Sequence, residues 1–307
     1  MSEYVIHTQQ LTRRFGKREF VKQINLQVPE KQIYGFLGPN GAGKTTTIRM
    51  LLGLIKSTSG DIEIFGKKLK DHRMEILKDV GSLVESPAYY AHLSAYRNLE
   101  IVTTMRGLPT RKIHKVLDLV RLSKDAYRPV KGYSLGMRQR LGIAMALIAD
   151  PKLLILDEPT NGLDPSGIQE IRELIMSLPD AYGMTVLVSS HLLSEIEQIA
   201  TYVGIINQGE MIFQGTMKEL TDKSKPQLFI ETQNPVQAAG ALMQHGWIAG
   251  AESMEQKEVI TPIVDRQQSS EMIKVLVEHN HPVYRVREKK KTLEEIFLEL
   301  TGKERSL

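Results

Sequence analysis

The chain contains no cysteine, which excludes disulfides and thiolate metal sites and suits a reducing compartment. It also lacks any long apolar run. The longest, LGIAMALIA at 141–149, falls far short of the roughly 20 residues that cross a bilayer. The opening MSEYVIHTQQ has no basic segment followed by an apolar one, so no secretory leader is expected. Strong charge is missing too: a net +4 over 307 residues permits contact with acidic headgroups or nucleic acid and requires neither. These absences predict a cytosolic chain that reaches a membrane only through a partner. One more gap is local: no glutamine occurs between Gln32 and Gln139.

A chain of this length accommodates one large domain and a smaller one. YVIHTQQLTRRF and EFVKQINLQVPEKQIYGFLG read as short β segments with charged turns, and TSGDIEIFGK as a further turn and strand. From Pro87 to about Gly132 the spacing becomes helical. Ser94 is placed to cap one helix, and Thr110 another whose Ile113, Val116, Leu117 and Val120 share a face. Apolar strand-like runs then alternate with helices: LLILD, TVLVSS and YVGII. That alternation predicts an α/β fold with a mainly parallel sheet covered on both faces. A boundary is expected near DKSKPQ at 222–227. Beyond it QLFIET, EVITPIVD and PVYRVRE read as strands, and segments near 235–245, 268–280 and 292–301 as helices, giving a small C-terminal α+β domain.

Chemistry concentrates in a few short stretches. GPNGAGKTT fits G-x-x-x-x-G-K-[ST] at Gly38, Gly43, Lys44 and Thr45, with Asn40, Gly41, Ala42 and Thr46 in the same loop. Glycines let backbone N–H groups surround phosphate oxygens, the lysine adds a point charge, and the threonine offers a hydroxyl to Mg²⁺. The following helix turns its N-terminus to the same anion. LLILDEP ends an apolar run in Asp157 and Glu158. In isolation such a pair reads more often as helix-capping or turn acids. Beside a phosphate loop, Asp157 suits a Mg²⁺ water shell and Glu158 suits a base for the attacking water. His191, in SSHLLSEIEQI, follows another strand of the expected sheet and is placed to orient that water and bind the γ-phosphate, or else is a structural or solvated histidine. YSLGMRQRLGIAMALIA reads as a helix capped by Ser134, whose open first turn at Gly136 offers a second anion site.

Together these motifs resemble, in residue identity and order, the ATP-binding subunits of ABC transporters over roughly residues 4–220. The resemblance implies a P-loop ABC-type ATPase with an N-terminal antiparallel β region, a helical insert at about 87–150, and a domain end near 221. Residues 222–307 then form an accessory domain. It further implies a head-to-tail homodimer, or a paired ATPase subunit, clamping two ATP molecules with Mg²⁺. In that arrangement Ser134, Leu135, Gly136 and Met137 of one subunit face the γ-phosphate held by the other. Gly162, Leu163 and Asp164 match the loop that crosses the dimer interface, and Phe15 stands where an aromatic stacks on adenine, the alternative being a core aromatic. The partner implied is a separate membrane-spanning permease, with the ATPase at the inner face of the cell membrane and no nucleic acid expected. An ATPase of the same family acting on ribosomes or DNA is the alternative; such chains commonly carry two motif sets or long insertions, and neither is present here.

Two positions depart from the common pattern. The signature, usually Leu-Ser-Gly-Gly-Gln, reads Tyr133, Ser134, Leu135, Gly136 and Met137. The usual coupling glutamine is absent, and Glu85 in GSLVESP stands in its place. Both features make the chain resemble the bacitracin-export and lantibiotic-immunity branch. Mg²⁺ favours charged oxygens, so Glu85 is expected to act in metal binding or in coupling to the permease, the alternative being a solvated loop acid. The C-terminal YRVREKKK is a basic cluster read as a solvated strand end, or a contact to anionic lipid or to another appendage.

Overall fold

The computed structural model describes residues 4–85, 87–222, 226–252, 257–262, 265–289, 292–300 and 302. The chain divides into two compact units, Met1–Met217 and Lys218–Leu307. Residues 223–225 of the expected boundary, residues 263 and 264 of the second expected strand, and Lys290 and Lys291 of the basic cluster lie outside the described residues.

The first unit is organised by a six-stranded sheet in the order Glu210–Thr216, Tyr202–Asn207, Ile33–Leu37, Thr185–Ser190, Leu153–Asp157 and Val80–Leu83. All but the first are parallel to their neighbours. Ile33–Leu37, Leu153–Asp157 and Thr185–Ser190 are buried along their whole length, which is why they read as unbroken apolar runs rather than alternating ones. Parallel strands gather their carboxyl ends on one edge. The residues that leave those ends are Gly38, Glu85, Glu158 and His191.

A second, antiparallel sheet contains Tyr4–Phe15, Arg18–Ile24, Gln27–Pro29, Ser59–Ile64 and Lys67–Lys68. One apolar cluster joins the sheets, including Ile6, Leu11, Val21, Phe36, Ile48 and Leu153. Tyr34 is fully buried and donates to Gln214 Oε1 at 2.8 Å. Burial raises its pKa, so the phenol stays neutral and its hydroxyl is satisfied inside.

The helical part contains Ala95–Arg106, Arg111–Leu119 and Leu135–Leu147. Ser94 caps the first, accepting from Arg97 N at 3.2 Å. Thr110 does not cap the second through its side chain. Its backbone is already helical (φ −61°, ψ −23°), whereas a capping residue needs an extended one. Ile113, Val116 and Leu117 are buried as their spacing predicts.

In the second unit, a four-stranded antiparallel sheet runs Gly250–Glu252, Glu258–Pro262, Gln227–Thr232 and Val283–Lys289. Helices Pro235–Gln244 and Arg266–Glu278 interleave in a β-α-β-β-α-β order and share a core of Leu228, Ile230, Leu242, Val259, Met272 and Leu276. Asp265, expected within a strand, instead caps the second helix by accepting from Gln268 N at 2.8 Å. Two members of the basic cluster are consumed internally: Arg287 pairs with Glu258 at 2.8 Å, and Lys289 pairs with Glu295 at 2.8 Å.

The strand Val80–Leu83 lies tight against the helix Leu135–Leu147. A Cβ on Gly81 would stand 2.3 Å from the Ala146 carbonyl oxygen, and one on Gly142 would stand 2.7 Å from Pro87. Backbone cannot yield as a side chain does, and overpacking of this kind costs about 1–3 kcal/mol. Gly81→Ala is expected to lower the urea midpoint of the protein with the slope unchanged; a midpoint equal to the parent's would show that this contact can relax.

Candidate active site

The strand Ile33–Leu37 delivers Gly38, and the helix Lys44–Leu51 closes the loop. A Cβ at Gly38 would meet the Ile206 carbonyl oxygen at 2.3 Å, and Gly43 has a φ of +113° with Phe20 O 2.8 Å from where its Cβ would be. Only glycine satisfies both positions. Asn40 and Gly41 are exposed at the tip, Ala42 is buried, and Thr45 and Thr46 are half-buried in the first helical turn. That turn carries no acid, so the positive end of the helix is left for an anion.

Lys44 is only 5% exposed. Its Nζ donates to the carbonyls of Gly38 at 2.6 Å and Pro39 at 3.4 Å, and it lies 3.1 Å from Glu158 Oε1. The other oxygen of Glu158 is 2.8 Å from His191 Nδ1. A carboxylate accepts but does not donate, so Nδ1 is the donor of this bond. Glu158 adopts a left-handed backbone, φ +50°, uncommon for a residue with a side chain. Ser189 supports it, since the Glu158 N–H donates to Ser189 Oγ at 2.9 Å. The same hydroxyl donates to Asp157 Oδ1 at 2.6 Å. Asp157 is 3% exposed.

Ser189 is a site residue that sequence reasoning passed over. It lies within the SSH triplet, but its importance comes from register: Asp157 and Ser189 are direct partners across the two parallel strands. Arg49 is another. It projects from the phosphate-loop helix and ion-pairs with Glu85. Glu85 also has a left-handed backbone, φ +61°, and its side chain is 62% exposed. It leaves the strand that neighbours the Asp157 strand, with Leu83 beside Leu156.

The remaining predicted residues lie in different surroundings. Phe15 is 44% exposed, so it is not a core aromatic. It packs edge-on against Phe20 at 5.3 Å, with the Arg13 guanidinium 4.2 Å from its ring centroid. Ser134 caps the helix Leu135–Leu147 by accepting from Met137 N at 3.2 Å. A Cβ at Gly136 would have only Leu163 and Gly167 within 4 Å, and one at Gly162 would touch Leu135. Asp164 caps the helix Pro165–Tyr182 by accepting from Gly167 N at 3.1 Å. The signature residues therefore lie against 162–167, while the phosphate loop is bounded by Phe20, Val21 and Ile206.

A lysine buried beneath a glycine-bounded anion loop, meeting an acid from the neighbouring strand ends, defines a P-loop nucleoside triphosphatase. The model of the ABC transporter family matches residues 21–161. The bacitracin transport ATP-binding protein BcrA of Bacillus licheniformis is 43% identical over 97% of this chain and 97% of its own length. The lantibiotic transport ATP-binding protein SrtF of Streptococcus pyogenes is 47% identical over 68% of this chain and 90% of its own. Among solved structures, cbiO1 of Clostridium perfringens, described as part of the ABC transporter complex cbiONQ, superposes with a TM-score of 0.66 at 27% identity. That match covers 72% of this chain and 92% of cbiO1. The chain belongs to the ABC transporter family, as one of its ATP-binding, ATP-hydrolysing proteins.

Proposed function

We propose that this protein is the ATPase subunit of an exporter whose membrane-spanning permease is a separate chain, and that it confers export of, or immunity to, a peptide antibiotic that attacks the cell envelope. The names of the bacitracin and lantibiotic relatives support that substrate class. Among the described residues no helix is long and apolar enough to cross a membrane, so the permease must bring the subunit to the inner face of the membrane. Residues 1–221 form the ATP-binding domain and 222–307 an accessory domain.

The observation that carries the catalytic reading is Glu158 held between Lys44 and His191. When triphosphate enters the loop, Lys44 exchanges the Glu158 carboxylate for phosphate oxygen, and Glu158 Oε1 becomes free to accept a proton from water. His191 retains the other oxygen and fixes the carboxylate's direction. Asn40, Gly41, Ala42 and Thr46 complete the loop around the phosphates, and Phe15 offers its exposed ring to adenine. Thr45 and Asp157 are the residues to hold Mg²⁺, which neutralises phosphate charge when bound. Asp157 suits this because it is a buried carboxylate whose hydrogen bond from Ser189 engages only Oδ1. Among the described residues no group of three or more acids or histidines could cage a cation. That fits Mg²⁺, which takes one or two carboxylates plus the nucleotide's own oxygens.

The second anion site, Ser134 to Met137, faces the γ-phosphate of a partner subunit, with Gly162, Leu163 and Asp164 crossing the interface. Base catalysis contributes about 10²–10⁴-fold. Glu158→Gln is therefore expected to lower kcat at least a hundredfold and to elute as a dimer with ATP and Mg²⁺ but as a monomer without them. Hydrolysis at the parent rate, or monomers under both conditions, would rule the reading out.

Glu85 takes the metal-linked or coupling role, with Arg49 holding it while no nucleotide offers a stronger partner. In the assembled transporter, Glu85→Ala is expected to lose about tenfold of the permease-stimulated hydrolysis, and Glu85→Gln to keep most of it. If Glu85→Ala leaves hydrolysis and antibiotic protection unchanged, Glu85 is only a solvated loop acid.

A further inference from the structure

Behind Glu158 and His191 lies a carboxylate that the proposed chemistry does not use. Glu195, half-buried on the helix Leu193–Ile199, accepts two hydrogen bonds on the single atom Oε2. One comes from Thr160 Oγ1 at 2.7 Å and the other from Ser190 Oγ at 2.8 Å. Thr160 lies in the loop after the strand Leu153–Asp157, whereas Ser190 is the last residue of the strand Thr185–Ser190. Thr160 follows Glu158 by two residues; the Asn161 N–H donates to the Glu158 carbonyl at 3.2 Å and the Leu163 N–H to the Thr160 carbonyl at 3.1 Å. Ser190 immediately precedes His191, and its Oγ also accepts from Leu192 N at 3.0 Å, so His191 is bracketed by groups bound to one hydroxyl.

No ion pair to Glu195 occurs among the described residues. The nearest basic candidate lining the same small cavity, Arg172, spends its guanidinium on Gln169 and Gln198. A half-buried carboxylate without a cation is costly unless its hydrogen bonds are worth more than water's. Its two bonds go to the two segments that deliver Glu158 and His191.

We infer that Glu195 is a positioning residue: its Oε2 ties the loop after Glu158 to the strand end before His191 and thereby sets the 2.8 Å contact between the carboxylate and the imidazole. It touches no nucleotide-binding group, so it acts on the rate and not on ATP affinity. The bond through Thr160 also reaches the turn that leads to Gly162, Leu163 and Asp164. A shift of that loop would therefore be felt at His191. The inference rests on the proposed roles of Glu158 and His191.

The test compares steady-state hydrolysis and equilibrium ATP binding for the parent, Glu195→Ala, Glu195→Gln and Thr160→Val, each as the full chain. Glu195→Ala is expected to lower kcat about tenfold or more while ATP Kd stays within about twofold. Glu195→Gln keeps an oxygen that accepts from both hydroxyls, and should hold kcat within about threefold of the parent. Thr160→Val, which conserves shape and removes one bond, should fall between them with Kd unchanged. It carries the test if Glu195→Ala fails to fold. Parent-like kcat in Glu195→Ala or in Thr160→Val would overturn the inference. So would equal losses in kcat and affinity, or a Glu195→Gln variant as inactive as the alanine. If the parent itself hydrolyses no ATP, the functional reading fails instead; an active parent with indifferent Glu195 and Thr160 variants removes this inference alone.

Discussion

A buried ammonium must have an anion, and in this protein the Lys44 Nζ finds it in Glu158. Removing one partner of a buried ion pair costs about 3–5 kcal/mol, because it leaves a charge without compensation. The pair is therefore more than a contact between two loops. In the proposed function it makes the phosphate loop a site satisfied either by the protein's own carboxylate or by a ligand's phosphate, and exchange of one for the other releases Glu158 when a substrate is present. The surrounding structure serves this exchange: glycines at 38 and 43 bring backbone close, Ser189 supports the left-handed backbone of Glu158, and His191 keeps the second oxygen engaged.

The parallel sheet explains why these groups meet. Residues from four separate stretches of the chain emerge on one edge because their strands run the same way. Sequence reading reached this much, since buried parallel strands announce themselves as unbroken apolar runs and the phosphate loop has a residue pattern tied to its geometry. It placed Lys44, Asp157, Glu158 and His191 on strand or loop ends where they are found. Residues whose importance depends on pairing were invisible. Ser189 matters because it lies opposite Asp157 in register, Arg49 because its helix passes the Glu85 loop, and Glu195 because two segments converge on one oxygen. Local capping was legible at Ser94 and Ser134, whose backbones are extended, and misled at Thr110, whose backbone had already turned helical. A residue type favours a cap; only the dihedral decides.

The signature helix has different neighbours from the phosphate loop of its own chain. Its start is exposed at Ser134 and Leu135, the latter at 51%, and Gly136 lies by Leu163 and Gly167 at the start of the helix Pro165–Tyr182. The proposed sharing of this site between two copies accords with that separation. The strand that leads to Glu85 packs without spare volume against the far part of the same helix.

The absence of cysteine gives a direct way to test the shared site. Two preparations, one carrying Asn40→Cys on the phosphate loop and the other Met137→Cys beside the signature, both in a Glu158→Gln background, are mixed and oxidised with ATP and Mg²⁺. The account predicts a disulfide-linked dimer that forms in the mixture, needs nucleotide, and is weak or absent in either preparation alone. Cross-linking of each preparation with itself but not across the mixture would contradict it.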